Sequence, residues 1–211
     1  MTTRHPFDWL STSEQKRAFV ALLALTLAVM VGLNALGSPL NTEVAPAGIV
    51  SYELAGELSL AQSMVESWGQ TGQVYAGLNL GLDYLFLVAY SSSIALGCVL
   101  VARSLNKSDA ARPGSPDPGR KWGFGNPLRA ISGVGVPLAW AQFGAALLDS
   151  VENYALIQVL LGSQQASWPA VARWCAIPKF SIVAAGLVYV GAGAVLAVVT
   201  KVRTNVPGTC E

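Results

Sequence analysis

Asp149, Glu152 and Asn153 fall on one helical face of Ile131 to Leu161, a segment apolar enough to cross a bilayer. A carboxylate in hydrocarbon costs several kcal/mol, so intramembrane acids face a cavity, a partner or a proton path. Gln142 and Ala145 extend the stripe towards one end and Leu156 towards the other. In a second apolar segment Asn79 and Asp83 stand four apart, and Tyr90 continues their face. Lys179 stands near the start of a further apolar segment.

Two kinds of chemistry suit this set. Carboxylates with separated pKa values act as general acid and base, which makes Asp149, Glu152 and Asp83 the catalytic candidates. The same acids would equally form the walls of a site for a cationic or amphipathic ligand, with Asn79 and Asn153 orienting them and Tyr90, Gln142 and Lys179 completing the lining. The single histidine, His5, lies in the N-terminal leader, which argues against a buried His-based zinc or haem site and against a histidine base. Ser150 beside Asp149 is no triad, since neighbouring helix positions point about 100° apart. No metal ligand set is indicated, and the residues leave any cofactor unknown.

A hydrophobic content of 53% with 12% charged residues identifies a membrane protein. Spans are expected at about 18–37, 75–102, 131–161 and 177–200, each reaching the ~20 residues a crossing needs. The fold class is all-α, a four-transmembrane-helix bundle. Arg4, Lys16 and Arg17 precede the first span, and Lys201 and Arg203 follow the last. Arg103, Lys107, Arg112, Arg120, Lys121 and Arg129 crowd the second connection, whereas Glu43, Glu53, Glu57 and Glu66 lie in a first connection free of bases. The positive-inside rule then puts leader 1–17, loop 103–130 and tail 203–211 in the cytoplasm. Ala35-Leu-Gly37 has the look of a cleavage site, but the apolar run is longer than a signal-peptide core and reads as an uncleaved anchor.

With this topology the depths of the polar residues agree. At 1.5 Å per residue, Asp83 lies roughly 12 Å, Glu152 roughly 13 Å, Asp149 roughly 18 Å and Lys179 about 3 to 8 Å from the outer end of its span. Lys179 opposes both the charge rule and the positive end of its own helix, so an acid should compensate it, with Asp83 or Glu152 closest in depth. Three acids then face one lysine. The surplus must be protonated, hydrated, or paired with a bound cation or Arg173.

Between the first two spans, segment 46–69 reads as two short helices stopped by Gly56 and Gly69, forming an extracytoplasmic cap or lying at headgroup level. Ser59-Leu-Ala-Gln62 fits a capping box, and Leu54, Leu58, Ala61, Val65 and Trp68 make one apolar stripe. Arg112 to Gly119 is too rich in Pro and Gly for a regular element, and Lys121 to Arg129 mixes bases and aromatics as interfacial segments do. That basic surface is too small for nucleic acid. Ser167-Trp-Pro169 reads as a helix start and Pro178 as an interruption. Gly77 and Gly81 around Asn79, and Gly186 and Gly193 beyond Lys179, read as helix-packing positions. Cys98, Cys175 and Cys210 are kept apart and imply no disulfide framework.

Ser51-Tyr-Glu-Leu-Ala-Gly56, Leu82-Asp-Tyr-Leu-Phe86 and Asp149-Ser-Val-Glu-Asn153 together give the chain a resemblance to uncharacterised four-span bacterial membrane proteins. The resemblance implies the span number and a bacterial inner membrane, and supplies no activity. Sterol isomerases and sterol-binding proteins are similar in span number and in using intramembrane acids, but their histidine is missing here and the analogy is one of fold. The expected function is the binding of a small amphipathic or cationic ligand in an acidic intramembrane pocket in the outer half of the bilayer. The rivals are acid/base catalysis on a lipid-soluble substrate, proton- or cation-coupled transport, and a scaffold whose polar residues only pack. The lipid bilayer is the one sure partner, and homo-oligomerisation stays open.

Overall fold

The computed structural model describes residues 4–110 and 127–205, and no strand occurs among them. The helices are α1 (Thr12–Gly37), α2 (Ile49–Glu53), α3 (Leu58–Ala110), α4 (Pro127–Leu160) and α5 (Ser167–Asn205), with a 3-10 turn at Ser38–Leu40. Four stretches, Thr12–Leu40, Leu58–Lys107, Leu128–Leu160 and Ser167–Leu196, are long and apolar enough to cross a membrane.

α1 starts before the expected span, on a capping box that the sequence reading passed over. The Ser11 hydroxyl accepts from the Glu14 N–H at 3.4 Å, and the Glu14 carboxylate accepts from the Ser11 N–H at 2.8 Å. Pro39 closes the helix in the 3-10 turn. The box expected at Ser59 is not used. α3 begins at Leu58, so Ser59 already lies inside the helix, and the Gln62 amide donates instead to Gln164 at 3.1 Å.

Gly56 and Gly69 both adopt positive φ, at 74° and 61°, which a side chain resists. Gly69 breaks α3, and the Gln73 amide donates to the Val65 carbonyl at 3.1 Å across the break. Of the expected apolar stripe, Ala61 and Trp68 are buried, Leu58 and Val65 pack against them, and Leu54 is exposed on the turn after α2. α5 runs on through Pro178 from a start at Ser167.

The helices reach into both ends of connection 103–130, α3 as far as Ala110 and α4 from Pro127. The Pro/Gly-rich segment, most of the Lys121 to Arg129 interface and Cys210 lie outside the described residues.

α3 is central, packing on α1, α4 and α5. Its most apolar window is 67% buried against 6% for α1, which touches the rest along one side and leaves Val20, Leu27 and Val31 exposed. Gly186 meets Gln142 and Ile94, and Gly193 meets Val101, so both serve close helix approach. Gly81 faces open space and takes no part in such a contact.

At one end of the helices α2 packs on α3, α4 and α5. The Tyr52 hydroxyl donates to the Leu156 carbonyl at 3.0 Å, and the Tyr52 ring meets Trp68 edge to face at 5.2 Å. The Trp68 indole N–H donates to the Leu40 carbonyl at 2.8 Å. These bonds hold the last residue of α2, Glu53, against the long helices.

Candidate functional site

Lys179 sits among carboxylates. Its Nζ lies 2.9 Å from Asp149 Oδ1, and 2.9 and 2.8 Å from Glu152 Oε1 and Oε2. Glu53 Oε2 stands farther off, at 3.8 Å, and the Phe180 ring lies 4.6 Å away. Asp149, Glu152 and Lys179 are all buried, Glu152 completely. The i and i+3 positions of α4 put both acids on one face, and α5 brings the lysine to them.

The partner of Lys179 is thus Asp149 together with Glu152, and not Asp83. Depth could not decide this, because the direction in which each helix face points is set by packing. Asp149 is also fixed from the other side, where the Tyr90 hydroxyl donates to Oδ2 at 2.9 Å. Asp83 Oδ2 accepts instead from the Asn153 amide at 2.6 Å. Asn79 turns towards α1 and donates to the Leu33 carbonyl at 2.8 Å. Gln142 lies apart from the acids and donates to the Ile182 carbonyl at 3.1 Å, which leaves its buried Oε1 without a hydrogen bond. Arg173 is exposed, lies against Gly56 and forms no ion pair among the described residues.

Glu53 is the residue that sequence reasoning missed. The charge pattern counts it only among the four acids of the first connection, although it belongs to the Ser51 to Gly56 motif. Gly56, read as a helix stop, signalled that the chain turns just beyond it. Burial pushes the Glu53 carboxyl up to about 7, against the pull of Lys179. Its carboxyl lies within hydrogen-bond reach of that of Glu152, and its buried Oε2 receives no hydrogen bond.

A cavity of about 300 Å³ opens beside this cluster, between the end of α1, the 3-10 turn, α2 and α3. Glu53, Asp83, Asn79 and Asn153 line it together with Asn34 and Asn41, and Leu33, Ile49, Val50 and Leu80 supply apolar wall. Lys179, Asp149, Glu152, Tyr90 and Gln142 are not part of its lining. The polar set therefore divides into an ion cluster closed around Lys179 and an open acidic cavity, joined where Glu53 touches both. Of the three acid/base candidates, Asp149 and Glu152 are tied to Lys179, and Asp83 reaches the cavity.

His5 lies elsewhere, with its Nε2 2.8 Å from Asp8 and 2.6 Å from Arg103 Nη2. Arg103 also donates to Gln15.

No protein-family model matches the chain, no curated protein matches it, and no solved structure matches it.

Proposed function

We propose that this chain is a multi-pass protein of a bacterial inner membrane, with both termini cytoplasmic, whose four long helices hold an acidic pocket in the outer half of the bilayer. The pocket binds a small amphipathic or cationic ligand. Asp83 and Glu53 form its charged walls, Asn79 and Asn153 orient the polar contacts, and α2, through Ile49 and Val50, covers it as a lid. The Lys179, Asp149 and Glu152 cluster lies behind Glu53, outside the lining, and helps to hold it in place.

The observation that carries this reading is that two carboxylates from different elements line one cavity of about 300 Å³. Acids used only to glue helices together would be closed on partners, as Asp149 and Glu152 are, and would not line free space.

The test is native mass spectrometry of the gently purified protein. A species distinct from bulk lipid should remain bound to the wild type and be lost from Asp83→Asn. Bulk lipid alone on both proteins would overturn the reading.

A further inference from the structure

The cavity's lining narrows what enters it. Glu53 Oε2 accepts no hydrogen bond, its nearest cation being Lys179 Nζ at 3.8 Å behind the lining, and Asp83 adds a second carboxylate. Among the described residues of the lining there is no Lys, Arg or His to oppose a cation. α1 directs its C-terminal end at the same space through Leu33, Asn34 and Gly37, and its last turn holds no basic residue. The negative end of a helix favours a positive charge. Each of these features is independent of the others, and all have the same sign.

The lining also discriminates among cations. It holds no aromatic residue, whereas quaternary ammonium groups are recognised by aromatic cages. What it offers is oxygen acceptors, from carboxylates and side-chain amides, which call for a cation with N–H donors. The fold already shows how it binds such a group, since the Lys179 ammonium meets oxygens of Asp149 and Glu152 at 2.8 to 2.9 Å. A volume of about 300 Å³ stands at the lower end of small-molecule sites, and Leu33, Ile49, Val50 and Leu80 would cover a short apolar body.

We infer that the cavity recognises a primary ammonium on a short apolar body, held by Glu53 and Asp83. The inference rests on the pocket reading given above and names the chemical class of its ligand. The bound cation would be the second ammonium of the site, offsetting acids that Lys179 leaves unpaired.

The experiment is isothermal titration of the full chain in detergent with three probes of one body size: n-butylammonium, n-butyltrimethylammonium and 1-butanol. Butylammonium should bind at least tenfold more tightly than either of the others, and Glu53→Gln and Asp83→Asn should each weaken it at least tenfold. If a variant fails to fold, the probe series on the wild type still decides. Equal binding of the trimethyl compound or the alcohol, or binding of none of the three, overturns the inference. A neutral amphipathic species found by native mass spectrometry in that event would leave the pocket reading standing, and finding bulk lipid alone would remove both.

Discussion

Lys179 meets Glu152 with both carboxylate oxygens, Nζ lying 2.9 Å from Oε1 and 2.8 Å from Oε2, and Glu152 has no exposed surface. Taking two such groups out of water costs several kcal/mol each, so the pair need not stabilise the protein relative to an apolar one. Breaking it is another matter. Lys179→Met leaves Asp149 and Glu152 buried without their cation and should cost about 3–5 kcal/mol, the penalty for orphaning a buried charge. Adding Glu152→Gln to that variant should recover part of the loss. Reversible unfolding in mixed micelles measures both, and a single variant as stable as the wild type would remove Lys179 from its structural role.

Glu53 gives the stability a pH dependence of known sign. Its carboxyl titrates near 4.5 when unfolded and at about 7 in the fold, so the folded state holds the proton longer. Stability attributable to this group is complete below pH ~4.5, is lost as pH rises through about 7, and then levels off. The groups that face it are Lys179 on α5, Asp83 on α3, and Asp149 and Glu152 on α4. Unfolding measured from pH 5 to 8 should show the decline, and Glu53→Gln should flatten it. Binding of an ammonium probe should run the opposite way, because the cation prefers the carboxylate. Below pH 7 its affinity should rise by up to about tenfold per pH unit, for one proton displaced per cation bound.

Tyr52→Phe deletes one hydrogen bond, the one to the Leu156 carbonyl, and keeps the ring against Trp68. The cost should be about 1 kcal/mol, with more if the buried carbonyl finds no other donor. The effect should be local. Hydrogen exchange should quicken in residues 48–55 while the centre of α3 keeps its protection.

Four apolar stretches, the stops at Gly56 and Gly69 and the polar face of α4 could all be read from the chain. Each is a local property, set by hydropathy over about twenty residues, by a glycine conformation or by helical spacing. Which acid takes Lys179 could not be read, since Asp83 and Glu152 share a depth and differ only in helix rotation. Nor could Glu53 be recognised as turned towards the long helices. Five residues of helix carry too weak a pattern to show an inward face, and it is Tyr52, reaching 104 positions along the chain to Leu156, that turns α2 over the site. The cavity is formed by four separate stretches of chain, 33–41, 47–53, 79–83 and Asn153, and no local pattern encodes such a convergence.

The glycines separate packing from permissiveness. A side chain at Gly186 would run into Gln142 and Ile94, and Gly186→Val should therefore cost about 1–3 kcal/mol by overpacking. Gly81 faces open space, so Gly81→Ala should be neutral or stabilise by up to about 1 kcal/mol through helix propensity. Thermal unfolding of the two variants side by side checks this. A destabilised Gly81→Ala would show that this face meets a partner, such as a second copy of the chain.

Asp83 offers the sharpest contrast between what depth alone suggests and what the side chains do. Depth allows it, equally with Glu152, as the partner of Lys179, whereas its Oδ2 receives the Asn153 amide at 2.6 Å. A double-mutant cycle resolves the two. Asp83→Asn and Asn153→Ala share a direct charge-assisted bond, so their effects on stability should be coupled, by about 0.5–3 kcal/mol. Asp83→Asn and Lys179→Met share no direct bond, and their coupling should be smaller. It should also weaken in high salt if water from the cavity screens the charges. The reverse order of coupling energies would mean that Asp83, not Asp149 or Glu152, holds the lysine. The cavity would then lose one of its two carboxylate walls, and the ligand reading would have to stand on Glu53 alone.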